Sequence, residues 1–502
     1  MRASQGDTTV AEDAVTFVFT PPSWWVVTLF VVDLIIRITA IIVIPRNRRP
    51  TSALAWLLAI YFIPFVGVLL FLVIGNPRLP RKRRKMQDDI NAYIRESSEA
   101  LDFGSLRPNA PDWFTSLVTL NRNLGAMPLS GDNDAHLISD YQASLDAMAD
   151  AVRRAQRYVH VEFYILQSDD ATDNLFRALE EACARGITVR VLLDHWANRG
   201  KPFYKQTLKR LRDMGADWQL MLPVQPLKGK YQRPDLRNHR KLLVVDGLVA
   251  FMGSQNVTDS TYNLKKNIRR GLHWVDLMVR LEGPVVASIN AVFLSDWYAE
   301  TQEVLYTETD LDELKAGPGD LDCQIVPSGP GFRFENNLRL FAALMYAAQR
   351  KLIIVSPYFV PDEAMLLAIT SACHRGVEVQ LFVSEEGDQA MVYHAQRSYY
   401  EVLLKAGVKI WMYRKPFILH SKSMTVDDEV AVIGSSNMDM RSFGLNMEIS
   451  MLVRGEEFIT EMREVEAEYR SLSRELTRDE WEKQPLRSTV LDNLARLTSA
   501  LQ

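Results

Sequence analysis

One stretch of this chain occurs twice, and the repetition constrains the fold more than any other feature. "HRKLLVVDGLVAFMGSQN" (His239 to Asn256) is answered by "HSKSMTVDDEVAVIGSSN" (His420 to Asn437). Each copy reads His, x, Lys, four residues, Asp, and later Gly, Ser, x, Asn. The landmarks are His239, Lys241, Asp246, Gly253, Ser254 and Asn256 against His420, Lys422, Asp427, Gly434, Ser435 and Asn437. The flanks repeat as well: "AQRYVHVEFYIL" (Ala155 to Leu166) matches "AQRKLIIVSPYFV" (Ala348 to Val360), and "CARGITVRVLLD" from Cys183 matches "CHRGVEVQLFVS" from Cys373. Two copies this long describe a duplicated domain rather than an array of short repeats. Helix ends, glycine stops and apolar strand runs alternate in each, which predicts an α/β fold with two tandem lobes. In an extended strand His239 and Lys241 face one way and Leu242 and Val244 the other, and Asp246-Gly247 opens a hairpin.

The chain of 502 residues is too long for one ordinary core. It is expected to divide into a tail (1–22), an apolar segment (23–76), a basic segment and linker (77–130), and lobes over 131–310 and 321–490. The Asp-, Gly- and Pro-rich stretch Thr307–Asp320 is the expected junction. Trp24–Ile44 and Ala53–Ile74 each have the length to cross about 30 Å of hydrocarbon as a helix, predicting a two-helix transmembrane hairpin. Asp33 and Arg37 in the first are four apart and fit an ion pair. A cleaved signal peptide fits poorly, since Asp7, Glu12 and Asp13 stand where a positive region belongs. Arg46, Arg48 and Arg49 follow the first stretch, and the denser cluster Arg78, Arg81, Lys82, Arg83, Arg84 and Lys85 follows the second. By the positive-inside bias the remainder lies on the cytoplasmic side.

A formal net charge of −4 gives no general basic field, which argues against nucleic acid as a partner. The three cysteines, Cys183, Cys323 and Cys373, are far apart and suggest neither a disulfide framework nor a metal cluster. Two imidazoles brought together across a pseudo-twofold axis can divide labour, one attacking and one moving a proton. Two lysines and two asparagines around them supply donors for the oxygens of an anion. The expected target is a phosphodiester, and no metal or other cofactor is expected.

These motifs resemble those of the phospholipase D superfamily, whose signature is a paired HxKxxxxD followed by GSxN. With the apolar N-terminal stretches and the strings "HVEFYIL", "RNHRKLLVVDG" and "ILHSKSMTVDD", the chain most resembles the bacterial cardiolipin synthases. The resemblance implies one active site between two lobes, a covalent phosphohistidine intermediate and a place in the bacterial inner membrane. His239, Lys241, Asp246, His420, Lys422 and Asp427 would be catalytic, with His239 the nucleophile and His420 the acid and base. Ser254, Asn256, Ser435 and Asn437 would support the phosphate. Asp276 in "LHWVDLMVRL" and Glu448 in "LNMEISMLV" would orient the imidazoles.

The implied reaction joins two phosphatidylglycerol molecules to give cardiolipin and glycerol. Hydrolysis by water, another lipid donor or acceptor, and a catalytically silent membrane scaffold stay open as alternatives, and the oligomeric state is unread. The first copy carries eleven extra residues between Gly215 and its histidine. Lys228, Lys230, Arg233 and Arg237 there are candidates to attract anionic headgroups. His136, His160, His195, His273, His374 and His394 have no repeated companions and are expected to be structural.

Overall fold

The computed structural model describes residues 23–46, 48, 50–75, 79–98, 110–225, 230–305, 317 and 319–497. The chain divides into two compact units, Met1–Asn76 and Pro77–Gln502.

In the first unit α1 (Trp24–Val43) matches the first expected span, with Asp33 and Arg37 paired at 2.7 Å. Among the described residues it is the one helix long and apolar enough to cross a membrane. The second expected span, Ala53–Ile74, is not one helix but two, α2 (Pro50–Phe62) and α3 (Pro64–Ile74). Pro64 offers no N–H to continue the ladder and pushes Ile63 out of helical geometry, to φ −137° and ψ 72°. The chain then doubles back. The rings of Trp56 and Phe71 meet at 5.4 Å, whereas fifteen residues along one helix would separate them by about 22 Å. Gly67 lies against the backbone of Ala59 and Ile60 so closely that a Cβ would come within 2.8 Å of both, so only glycine lets the two helices meet there. Arg48, just before α2, donates to the carbonyl of Gly75, just after α3.

The second unit is built on one sixteen-stranded sheet. The first lobe contributes β1 (Leu129–Ile138), β2 (Tyr158–Phe163), β3 (Thr188–Asp194), β4 (Asp217–Met221), β5 (Arg237–Asn238), β6 (Lys241–Val245), β7 (Val249–Gly253) and β9 (Met278–Glu282). A separate short strand, β8 (His273–Val275), precedes β9. The second lobe contributes β10 (Leu321–Ser328), β11 (Lys351–Val355), β12 (Glu378–Ser384), β13 (Lys409–Tyr413), β15 (Ser423–Val426), β16 (Val430–Gly434), β17 (Asn446–Arg454) and β18 (Ser473–Leu476), with β14 (Phe417–Leu419) outside the large sheet. The sheet runs β4-β3-β2-β6-β7-β9-β1 and continues β10-β17-β16-β15-β11-β12-β13-β18. The lobes join where β1 and β10 pair antiparallel, Leu129 opposite Gln324.

Most central strands are buried on both faces, which explains their nearly unbroken apolar runs. Leu243 and Val245 face a first-lobe core with Met148 and Phe176, while Leu242 and Val244 face a core shared with Phe293, Ile449 and Phe458. That shared core spans the seam, so the two lobes fold as one body. The expected linker at 77–130 contains two helices, Arg81–Ser97 and Asp112–Gly125. Leu79 and Ile94 are buried in the shared core, Phe114 and Leu117 in the second-lobe core, and Arg83 makes a two-pronged pair with Glu300 at 2.8 and 2.7 Å. The expected junction Thr307–Asp320 falls, apart from Gly317, Gly319 and Asp320, outside the described residues.

Candidate active site

The lobes exchange strands where the motifs begin. β5 runs parallel to the start of β17, with Asn238 opposite Met447, and β8 runs parallel to β14, with Val275 opposite Leu419. The register continues into two matching hydrogen bonds: the His239 N–H donates to the Met447 carbonyl at 2.8 Å, and the His420 N–H to that of Val275 at 2.7 Å. One residue beyond each acceptor stands a carboxylate. Glu448 therefore meets Nδ1 of His239, with both oxygens at 3.0 Å, and Asp276 meets Nδ1 of His420 at 2.6 Å. Each lobe's carboxylate thus serves the other lobe's histidine, a crossing that the sequence did not reveal.

The glycine and serine of each GSxN support these carboxylates. Ser254 donates to Asp276 at 2.6 Å while accepting the Leu277 N–H, and Ser435 donates to Glu448 at 2.5 Å while accepting the Ile449 N–H. Ser442 adds a third donor to Glu448, at 2.9 Å. A Cβ on Gly434 would stand 2.2 Å from the Ile449 carbonyl and one on Gly253 2.3 Å from that of Leu277. The glycines thus permit close approach between neighbouring strands.

All four partners are buried. Burial pulls both imidazoles down to about 4, although the paired carboxylates draw them back up and the motif lysines push them down. Burial alone would raise Glu448 and Asp276, but the facing imidazole, the lysines and the serine hydroxyls outweigh it and hold both below the usual range. Near neutral pH the pairs are therefore neutral imidazoles beside carboxylates. With Nδ1–H given to the carboxylate, Nε2 carries the free lone pair. Burial likewise lowers Lys241 to about 8 and Lys422 to about 7. Lys241 Nζ donates to the His239 carbonyl at 2.5 Å, and Lys422 holds the His420 carbonyl in the same way.

His239, His420, Asn256 and Asn437 line one groove of about 630 Å³. Asn256 is fixed by the Tyr262 hydroxyl at 2.8 Å and the Ile165 N–H at 3.0 Å. Asn437 keeps its buried Oδ1 without a partner among the described residues. Tyr164 and Tyr358 meet His239 and His420 edge-on, ring centroids at 4.8 and 6.4 Å. These tyrosines went unremarked in the sequence, yet "FYIL" and "PYFV" carry them at matching places in the repeat.

The structure does not bring Asp246 and Asp427 to this groove. Each sits at the far end of its motif strand, about 20 Å along from the histidine. Asp246 accepts the backbone N–H groups of Gln156, Arg157 and Tyr158 at 2.7, 2.7 and 2.9 Å. Asp427 accepts those of Gln349, Arg350 and Lys351 at 3.0, 2.7 and 2.8 Å. They pin the start of the adjacent strand. Both adopt positive φ, 57° and 53°, a turn conformation that Asp tolerates.

Two cations of the inserted loop are also otherwise engaged: Arg237 is buried and pairs with Asp194 at 2.9 Å, and Arg233 pairs with Asp235. Lys228 and the side chain of Lys230 lie outside the described residues. Arg240 is a residue that the motif did not single out. It is fully buried, pairs with Asp296 and donates through Nε to the Glu448 carbonyl at 3.1 Å. His160 stacks between Tyr158 and Phe293, ring centroids at 4.5 and 4.2 Å, and serves packing.

Two homologous α/β lobes that place a histidine and an asparagine apiece on one groove define a tandem phospholipase D fold. The family model described as "Cardiolipin synthase, PLD-like domain" matches residues 148–297 and 341–469, and one described as "Phospholipase_D-nuclease N-terminal" matches residues 35–76. Cardiolipin synthase A of Proteus mirabilis is 31% identical over 97% of this chain and 100% of its own length. Cardiolipin synthase of Alkalihalophilus pseudofirmus is 34% identical over 85% of this chain and 84% of its own. Among solved structures, phosphatidylserine synthase of Haemophilus influenzae superposes with a TM-score of 0.57 at 14% identity, covering 78% of this chain and all of that one, a likeness of fold. The chain belongs to the cardiolipin synthase family, and so is a phosphatidyltransferase of the phospholipase D superfamily.

Proposed function

We propose that this protein condenses two phosphatidylglycerol molecules into cardiolipin and glycerol through a phosphohistidine. The observation that carries the reading is the pair of crossed carboxylate–imidazole contacts on one groove. Nε2 of His239 attacks phosphorus, the bond to the glycerol oxygen breaks, and His420 gives that oxygen a proton. The hydroxyl of a second phosphatidylglycerol then loses its proton to His420 and attacks phosphorus, and the P–N bond breaks to restore neutral His239. Lys241, Lys422, Asn256 and Asn437 stabilise the charge on the phosphoryl oxygens. An anionic phosphate between the imidazoles raises the pKa of the proton donor, countering the burial that lowers it in the empty site.

The protein works at the membrane. A single crossing by α1, with α2 and α3 returning to the side they left, puts Arg46, Arg48 and the cluster Arg81–Lys85 on the same side. The positive-inside bias makes that side cytoplasmic, and one crossing replaces the two expected from hydropathy. Helices of 13 and 11 residues, about 20 and 16 Å long, support the return, because neither spans the hydrocarbon. Protease should remove an N-terminal tag from intact cells; a tag cut only in inverted vesicles would overturn this topology.

The reaction is tested by product analysis of the purified protein in phosphatidylglycerol vesicles, beside His239→Ala and His420→Ala. Cardiolipin and glycerol in equal amounts from the intact protein and from neither variant is the expected result. Phosphatidic acid as the main product would show hydrolysis instead.

A further inference from the structure

The groove holds a second set of cations that the chemistry at phosphorus does not use. Arg199 and Lys201 follow the short helix His195–Asn198, and Lys266 lies in the helix Lys265–Arg270; all three line the groove with the two catalytic histidines. Lys201 is half-buried, and burial together with the charge of Lys266 holds its ammonium below the usual range. Among the described residues none of the three has a carboxylate within ion-pair distance. The acid close enough to act on both lysines is Asp388, whose carboxylate accepts from the Tyr358 hydroxyl at 3.0 Å. Two like charges held together with one shared acid repel each other, and an anion entering the groove relieves that repulsion.

Their position gives the anion a role. Tyr358 links the cluster to His420: its ring meets the imidazole at 6.4 Å and its hydroxyl reaches Asp388. The lysines therefore lie on the side of the proton-moving histidine. In the first half-reaction the group leaving on that side is glycerol, which is neutral. In the second, the entering group is a whole lipid whose own phosphate stays charged and sits three carbons from the attacking hydroxyl. A cation set on that side that holds a phosphate is useful only to the second. Trp196 and Met391, 45% and 56% exposed on the same groove, supply apolar surface for a lipid, and Arg199 lies over the Trp196 ring at 5.6 Å.

We propose that Arg199, Lys201 and Lys266 form the subsite for the phosphate of the acceptor lipid, and that they select an anionic lipid over glycerol or water as the resolving nucleophile. The inference rests on the two-lipid reaction proposed above. At this subsite no bond changes: the acceptor phosphate is held while its distal hydroxyl loses a proton to His420 and forms the new O–P bond.

Two reactions of the full-length protein in phosphatidylglycerol micelles separate the roles. Exchange of labelled glycerol into phosphatidylglycerol needs the donor site and a neutral acceptor, whereas cardiolipin formation needs an anionic acceptor as well. In the double variant K201Q/K266Q the ratio of cardiolipin formation to glycerol exchange should fall at least about tenfold, as expected for losing charge-assisted contacts to one phosphate. K201R/K266R should restore most of that ratio. A ratio unchanged in K201Q/K266Q, or exchange falling in step with cardiolipin, would overturn the subsite. Wild-type protein that exchanges glycerol but makes no cardiolipin would instead overturn the two-lipid reaction and take the subsite with it.

Discussion

The crossed contacts make a prediction that in-lobe pairing would reverse. Glu448 belongs to the second lobe but holds His239 of the first, so Glu448→Gln should behave like His239→Ala and not like His420→Ala. In the proposed mechanism His239 takes up the phosphoryl group, and its ring then gains a positive charge 3.0 Å from the Glu448 oxygens. At an effective dielectric of about 20 that attraction is worth about 5 kcal/mol. It arises only as the intermediate forms, so its loss falls on the barrier and slows formation of the intermediate by about a thousandfold or more. The amide leaves a second defect, since Ser435, Ser442 and Asn446 all direct donors at Glu448 and an NH2 group accepts none of them. A phosphatidyl donor with a p-nitrophenolate leaving group isolates this step, because that group departs without a proton. Stopped-flow release of p-nitrophenolate should show a burst in Asp276→Asn and His420→Ala, which then stall with the enzyme phosphatidylated, and none in Glu448→Gln or His239→Ala. A burst retained in Glu448→Gln, or lost in Asp276→Asn, would refute the crossing as a functional arrangement.

Asp246→Ala and Asp427→Ala each strip the acceptor from three backbone N–H groups, which should cost about 2–4 kcal/mol of stability. The melting temperature should drop while turnover per folded molecule stays within about twofold; lost turnover at unchanged melting temperature would return these residues to the chemistry. Stability should also depend on the two buried imidazoles. His239 and His420 titrate near 4 when folded, against about 6.5 in an unfolded chain. Between those values the unfolded chain binds two protons that the folded one refuses. Their contribution is therefore complete above about pH 6.5 and shrinks as pH falls toward 4, by up to about 3 kcal/mol per pH unit. Urea midpoints in detergent should show this slope in the wild type and a flatter one in H239A/H420A; equal slopes would contradict it.

The repeat made the two-lobed α/β fold and the meeting of the two histidines and two asparagines on one groove legible, because identical spacing in two copies is a signal that a single copy lacks; Ser254 and Ser435, expected at the phosphate, turn to Asp276 and Glu448 instead. Spacing could not convey the crossing. Asp276 lies twenty residues after Asn256, while Glu448 lies eleven after Asn437. The helix Lys265–Arg270 falls inside the longer interval, so the two carboxylates look unrelated until β5 pairs with β17 and β8 with β14. Asp246 and Asp427 show the opposite failing. Repetition grouped them with the histidines, although seven residues of extended chain already put them too far away to share a site. For Ala53–Ile74 the mean hydropathy concealed what one residue showed, since Pro64 in its middle is where the helix ends and the chain turns back.

The exchange of strands also explains why a duplicated motif makes one site and not two. A first lobe by itself would keep His239 and Lys241 but lose Glu448, and with it the partner that orients Nδ1–H and leaves the lone pair on Nε2. A second lobe by itself would keep His420 and lose Asp276 in the same way. The shared core behind the seam buries Leu242 and Val244 of one motif hairpin together with Ala431 and Ile433 of the other. Displacing one lobe would therefore expose apolar surface and unpair both histidines at once, and the packing that fixes the register across β1 and β10 is what keeps the two half-sites in phase.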